Sequence, residues 1–324
     1  MNDSKSDSEL DVDLEVESRV DMKNDEESNK INSPSPSPSP SPSPFMIKGE
    51  TKSSSRIENS PPRSISILLY NVWNLPSCCT DGHSRSRAKH IAEFLGKYDV
   101  IILNEAFINK DVLLSKVKES HEYVRGLGRK WYTLFDSGVM IVSRFPIIKH
   151  DTEHCKMRRG FDFWAAKGIV FVRLKVDDHK TIDVYGTHLQ AGAKKSHQAA
   201  RASQSDQVAR FILKNSPLVE NENENETKRP VILTGDLNMG PVLSPSFSHF
   251  SGHYVDKKDA MARHQSYVHL RDTAGLTDVF GRYLKEDICR FLVRNLTRPP
   301  KLTYVDWATS SLSDTDALLC EIEV

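Results

Sequence analysis

The chain has 324 residues, 38% of them apolar, with 44 Lys plus Arg against 44 Asp plus Glu, which allows one large domain or two small ones. Five irregularly placed cysteines (Cys78, Cys79, Cys155, Cys289, Cys320) exclude a disulfide framework and a C-x-x-C zinc pair, and no apolar run reaches the roughly 18–20 residues of a membrane helix. The polar N-terminus lacks a signal-peptide core, so a soluble cytoplasmic protein is expected, with peripheral membrane contact or unconventional secretion as the alternatives.

The formal charge of zero is unevenly spread. Residues 1–30 hold eleven Asp/Glu against four Lys/Arg, residues 31–62 add a net +1, and the remainder from Arg63 carries +6. Six Ser-Pro repeats from Ser33 to Pro44 favour extended chain over a core, so residues 1–62 read as a disordered tail and 63–324 as the folded domain. In chain order, Ser66–Tyr70 is a buried strand ending at Asn71-Val72-Trp73-Asn74. Arg87–Lys97 is a helix with Ala88, Ile91, Phe94 and Leu95 on one stripe and Gly96 as its terminator. Val100–Leu103 is a strand with Asn104-Glu105 at its end, and Gly138–Ser143 is another, closed by Arg144-Phe145-Pro146. Gly168–Leu174 and Thr181–Gly186 form a hairpin around Asp177–Lys180, and Gln198–Lys214 is a long helix with Val208, Phe211 and Ile212 inward.

Glu220–Glu226 reads as an exposed acidic loop, and Val231-Ile232-Leu233 as a buried strand running into Gly235-Asp236-Leu237-Asn238. From Pro241 to Pro300 the pattern is irregular, with a helix expected near Leu284–Leu292. Leu302–Val305 and Ala317–Val324 are closing strands. Alternating strands, helices and hairpins indicate a layered α/β or α+β domain around stacked sheets.

The chemistry sits at the strand ends. A spacing of two points Asp236 and Asn238 to one side if strand geometry persists, making a hard-oxygen site for Mg²⁺ and a phosphate. The same tetrapeptide also suits an Asx turn. Asn71, Asn104-Glu105, His188 and Asp236/Asn238 together offer a carboxylate for a divalent cation and donors for phosphoryl oxygens, the set a phosphodiester cleavage needs.

The segments Tyr70–Pro76, Leu103-Asn104-Glu105-Ala106-Phe107, Ser143–Ile147, Lys167-Gly168, Gly186-Thr187-His188-Leu189-Gln190-Ala191, Arg201…Gln204 and Gly235–Asn238 resemble the motifs of the endonuclease/exonuclease/phosphatase superfamily. Within it they look most like the neutral sphingomyelinases. The Pro-x-Trp-x-Asp-Arg segment of inositol polyphosphate 5-phosphatases is absent, and abasic-site endonucleases more often read Leu-Gln-Glu-x-Lys at the glutamate. The resemblance implies a four-layer α/β/β/α sandwich of the deoxyribonuclease I-like type. It implies Mg²⁺ (or Mn²⁺) held by Glu105 with Asn71 and Asp236. His188 and Asn238 would contact the phosphoryl group, with Asn71 beside them, and Asp236 would orient water. The substrate implied is sphingomyelin or a related phospholipid at a membrane surface, cleaved to ceramide and phosphocholine by a monomer; a charge of +6 spread over the domain does not suit nucleic acid. Phe247, Phe250 and Tyr254 could form a membrane-touching loop, against the plainer and preferred reading that this loop packs on the sandwich.

The family's closing Ser-Asp-His is Ser313-Asp314-Thr315 here, and Val305-Asp306-Trp307 lies only eight residues upstream of Asp314. Asp314 is present, but Thr315 stands where the histidine that deprotonates water is expected. Threonine cannot accept a proton near neutral pH, so a loss of about 10²–10⁴-fold in rate is expected. The readings to separate are therefore an enzyme of reduced rate and a pseudoenzyme that binds lipid or protein.

Overall fold

Two stacked sheets organise the chain in a computed structural model, which describes residues 63–76, 79–80, 82–218, 229–240, 257–279, 288–305, 307, 312–313 and 315–324. The Ser-Pro tail, the acidic run, Phe247, Phe250, Tyr254, Asp306 and Asp314 lie outside the described residues. The first sheet holds β1 (Ser64–Asn74), β2 (Val100–Ala106), β3 (Glu122–Arg125), β4 (Met140–Ser143), β11 (Lys301–Tyr304) and β12 (Leu318–Glu323), in the order β11-β12-β1-β2-β4-β3. The second holds β5 (Ile147–His154), β6 (Gly168–Lys175), β7 (Thr181–His188), β8 (Val231–Asp236), β9 (Thr277–Asp278) and β10 (Cys289–Arg294), in the order β5-β6-β7-β8-β10-β9. Helix α1 (Ser84–Leu95) and the short α2 (Lys110–Leu113) accompany the first sheet, and α3 (Lys195–Asn215) and α4 (Lys257–Thr273) the second.

The layers follow from side-chain parity, because alternate residues of a strand face opposite sides. On β1, Ile65, Ile67 and Leu69 enter the core between the sheets with Val100 and Ile102 of β2, Ile182 and Val184 of β7, and Ile232 of β8. The alternate residues Leu68, Tyr70 and Val72 pack outward with Ala88, Ile91 and Leu95 of α1. On the far side, Phe171 and Tyr185 pack with Val208, Phe211 and Ile212 of α3 and Tyr267 and Leu270 of α4. Helix, sheet, sheet, helix is the four-layer α+β sandwich of the deoxyribonuclease I-like type.

The central strands pair in parallel within each sheet. Tyr70 lies beside Leu103 and Asn71 beside Asn104 on β1 and β2, while Thr187 lies beside Gly235 and His188 beside Asp236 on β7 and β8. The carboxyl ends of these four strands therefore come out at one rim. Asn71, Asn104, His188 and Asp236 continue the inward rows begun by Leu69, Ile102, Val184 and Ile232. A period of two thus delivers polar groups to the rim of the seam that the aliphatic residues fill.

Two readings of the sequence are corrected. Residues 289–292, expected in a helix, lie in β10, because Cys289 and Phe291 enter the inter-sheet core and the strand completes the ladder beside β8. The helix of that region is instead α4, whose mixed polar sequence hides its pattern: it is anchored by Tyr267 and Leu270 but also by buried Asp259 and Arg263. Strand β4 begins at Met140, with Gly138 in left-handed backbone (φ +65°) just before it.

Gly235 has φ +154°, and a Cβ there would lie 1.9 Å from the Thr187 carbonyl oxygen. Both facts exclude a side chain where β7 and β8 meet at the rim. Gly235→Ala is expected to lower the unfolding free energy by at least about 2 kcal/mol, read by chemical denaturation. An unchanged midpoint would show that the two strands can part without cost.

Candidate active site

Asn71, Glu105, His188, Asp236, Asn238 and Thr315 line one cleft of about 600 Å³ at the rim. The Asn71 side-chain amide donates to Glu105 Oε1 at 3.1 Å and to Asp236 Oδ2 at 3.3 Å, so one NH₂ group joins a carboxylate from each sheet. Its Oδ1 accepts from the Trp73 amide at 3.1 Å, which fixes the carboxamide orientation. Asn104 Oδ1 accepts from the Asp236 backbone amide at 2.7 Å, a second polar link between the sheets.

Strand parity would send Glu105 to the helix side. Its backbone is instead left-handed (φ +54°), an uncommon conformation for a non-glycine residue, and the turn brings its carboxylate to Asn71. Asn238 is also left-handed (φ +51°) and lies beyond β8, so the strand geometry assumed for the Asp236–Asn238 pair does not persist. The Asn238 amide donates to Asp236 Oδ1 at 3.0 Å, an Asx turn, and its side chain donates to the Leu189 carbonyl at 3.1 Å. The turn and the site are the same object: the turn holds both residues at the cleft.

His188 Nε2 lies 3.9 Å from Asp236 Oδ2, and its buried Nδ1 makes no hydrogen bond among the described residues. Burial, and then the charge of Lys167, hold the imidazole well below the ordinary histidine pKa, so it is neutral at pH 7. Lys167 is itself buried, donating to the Leu189 carbonyl at 2.7 Å and pairing with Asp162 at 2.9 Å. Thr315 is tied to Ser313, whose hydroxyl donates to the Asn71 carbonyl at 2.6 Å, fixing the closing segment against the end of β1.

Arg159, Asp162, Gln190, Lys194, His197 and Arg263 also line the cleft and were not foreseen. Buried Arg201 of α3 donates to the Gln190 carbonyl at 2.6 Å, and Gln204 accepts from the Gln190 amide at 2.8 Å. The Arg201…Gln204 spacing therefore serves to hold the loop after β7. Burial and neighbouring Arg263 lower the Arg201 pKa to about 9, which leaves it charged at neutral pH. Arg263 of α4 donates to Asp259 at 2.6 Å, the Asn238 carbonyl at 2.7 Å and the Gly192 carbonyl at 2.9 Å, joining both loops of the cleft. The i, i+4 pair Asp259 and Arg263 was the available signal for it.

The donor set fits a hard cation. Glu105 and Asp236 supply carboxylates, and Asn71 and Asn238 could add only their Oδ1 atoms, since their NH₂ groups donate to oxygens; among the described residues no group of three or more His, Cys, Asp or Glu forms a metal cluster. One or two carboxylates, with water and phosphate oxygens completing the shell, is the Mg²⁺ pattern.

Residues 68–257 match the model of the Endonuclease/Exonuclease/phosphatase family. The chain belongs to this family. Among curated members, sphingomyelinase C of Bacillus cereus is 26% identical over 215 residues, covering 59% of this chain and 62% of that protein. A phospholipase C of Staphylococcus aureus is 30% identical over 213 residues, covering 58% and 62%. The chain thus matches less than two thirds of the length of these relatives. In fold it is similar to beta toxin from Staphylococcus aureus solved with bound magnesium ions (TM-score 0.59, 20% identity, covering 80% of this chain and 99% of that one).

Because the folded His188 pKa lies below the unfolded value of about 6.5, the unfolded chain binds the extra proton first as pH falls. The contribution of His188 is therefore full above about pH 6.5 and is lost as pH drops toward the folded pKa. The fall in Tm between pH 7.5 and 5 is expected to be shallower for His188→Gln than for the unsubstituted chain; equal slopes would count against the buried neutral imidazole.

Proposed function

We propose that this protein is a Mg²⁺-dependent phosphodiesterase that hydrolyses sphingomyelin to ceramide and phosphocholine, at a rate reduced by Thr315. The observation that carries this reading is the cleft itself, where Asn71, Glu105, His188, Asp236 and Asn238 converge from four strand ends. The sphingomyelinase relatives support the substrate class, and the magnesium-bound beta toxin supports the cofactor. Mn²⁺ would suit the same oxygen donors.

Glu105, Asn71 and Asp236 are the residues that would hold the cation, which when bound neutralises charge on the phosphoryl oxygens. The neutral imidazole of His188 hydrogen-bonds a phosphoryl oxygen, and the Asn238 carboxamide lies beside it. Asp236 orients the attacking water. The water oxygen forms a bond to phosphorus as the bond to the ceramide oxygen breaks; the water proton passes to a base, and the ceramide oxygen takes up a proton. Asp314 lies outside the described residues, and its expected role is to hold the base's position. Thr315 cannot be that base. His197 is a second imidazole lining the cleft, kept neutral by burial against the charge of Asp162, and is the candidate acceptor.

Thr315 also favours a second reading, a pseudoenzyme that keeps the phosphate site and binds lipid or protein partners. Sphingomyelin hydrolysis in mixed micelles separates the two. For the enzyme, the unsubstituted chain turns over, Thr315→His gains about 10²-fold or more, and Glu105→Ala loses about 10²-fold or more. Silence of the unsubstituted chain with activity in Thr315→His would establish the pseudoenzyme. Silence of all three would remove sphingomyelin as substrate. Independently of turnover, Mg²⁺ is expected to raise the Tm of the unsubstituted chain and not of Glu105→Ala, since a ligand stabilises only the state that binds it.

A further inference from the structure

Beside the cleft, two segments present large apolar side chains to solvent. Trp131 is 96% exposed and Phe161 95%, and Leu134, Phe163 and Trp164 are each more than two-fifths exposed. They belong to one surface. The Leu134 and Phe135 amides both donate to the Trp164 carbonyl, at 2.8 and 3.0 Å, and Phe135 bridges to Ala165. The Arg158 guanidinium lies over the Tyr132 ring at 5.4 Å and donates to the Ala165 carbonyl. Phe161 also lines the cleft, so the patch and the site share an edge.

The core does not require these side chains, and contiguous exposed apolar surface of this kind marks an interaction site. Charge selects the partner. Residues 129–134 and 156–164 bring Arg129, Lys130, Lys156 and Arg159 wholly or partly to the surface, with Arg158 buried, against a single acid, Asp162, which is itself paired with Lys167. Exposed aromatic side chains in segments that also carry exposed cations suit an interface whose surface is anionic and whose interior is apolar.

We infer that the Trp131–Leu134 and Phe161–Trp164 segments form a docking surface for a bilayer containing anionic lipid, seating the cleft mouth at the headgroup layer. The inference rests on the phosphodiesterase reading for its purpose but not for its test. It is made of other residues than Phe247, Phe250 and Tyr254, which the sequence suggested and which lie outside the described residues.

The experiment measures sedimentation with sucrose-loaded phosphatidylcholine vesicles containing about 20 mol% phosphatidylserine and no sphingomyelin. The unsubstituted chain should bind, more weakly as salt rises, and Trp131→Ala/Phe163→Ala/Trp164→Ala should lower the partition coefficient at least about tenfold. Ile148→Ala, on the exposed side of β5, should bind as the unsubstituted chain does. In the unsubstituted chain, brominated acyl chains should quench tryptophan fluorescence, a readout that needs no variant. Equal binding by the triple variant, or no binding by the unsubstituted chain, would overturn the inference. Self-association abolished by the triple variant, without vesicle binding, would replace the bilayer by a second copy of the chain. A water-soluble short-chain sphingomyelin analogue reads catalysis separately. If it is hydrolysed equally by both proteins while only the triple variant fails on vesicles, docking is supported; vesicle binding with no hydrolysis by either would remove the phosphodiesterase reading and leave the docking surface supported.

Discussion

The seam between the two sheets closes at its rim with polar bonds rather than apolar contacts, and the site depends on that change. Asn104 of the first sheet accepts from the Asp236 backbone of the second, and Asn71 reaches across to both Glu105 and Asp236. Below them the seam is aliphatic and tolerates small shifts without losing hydrogen bonds. At the rim the geometry is directional, so the register of both sheets is read out as distances between carboxylates. A slip of one residue on any of the four central strands would turn its polar terminus to the outer face.

The rim is also where the chain departs from comfortable conformations. Glu105 and Asn238 are left-handed, Gly235 adopts backbone closed to other residues, and His188 buries an imidazole nitrogen that makes no hydrogen bond among the described residues. Each departure costs stability in isolation. They cluster at the cleft, and departures from local rules concentrate at functional sites. The outer helices stabilise this arrangement: Arg201 and Gln204 of α3 fix the loop after β7, and Arg263 of α4 joins that loop to the turn after β8. These buried guanidiniums bond mainly to carbonyl oxygens, which makes them positioning groups for backbone.

Thr315 in the cleft gives the site an uneven character. Asn71, Glu105, His188, Asp236 and Asn238 are assembled around the cleft, while Thr315 brings a hydroxyl close to Ser313 of its own turn. The cleft and the exposed aromatic surface share Phe161, so the two features adjoin on the molecule.

Much of this was legible in the chain itself. Apolar runs ending in Asn71, Asn104-Glu105, His188 and Gly235-Asp236 identified the central strands, and the two-residue period from Leu69, Ile102, Val184 and Ile232 carries four of the polar groups to the inner face. Local periodicity determines such features because each depends only on near neighbours. Helix α4 was not legible, since its buried face includes Asp259, which accepts from Arg263 and from Arg201 of α3, and Arg263, which also donates to carbonyls of distant loops. Strand β10 was not legible either, because its partner β8 lies more than fifty residues earlier. Nor could parity foresee Glu105 in the cleft; a left-handed backbone turned it there. The aromatic patch is built from two segments joined by backbone hydrogen bonds about thirty residues apart in sequence. The sequence alone thus determined which residue types end the strands, through short-range periodicity. The tertiary structure decided which of them meet, because non-local hydrogen bonds and individual backbone torsions leave no periodic trace.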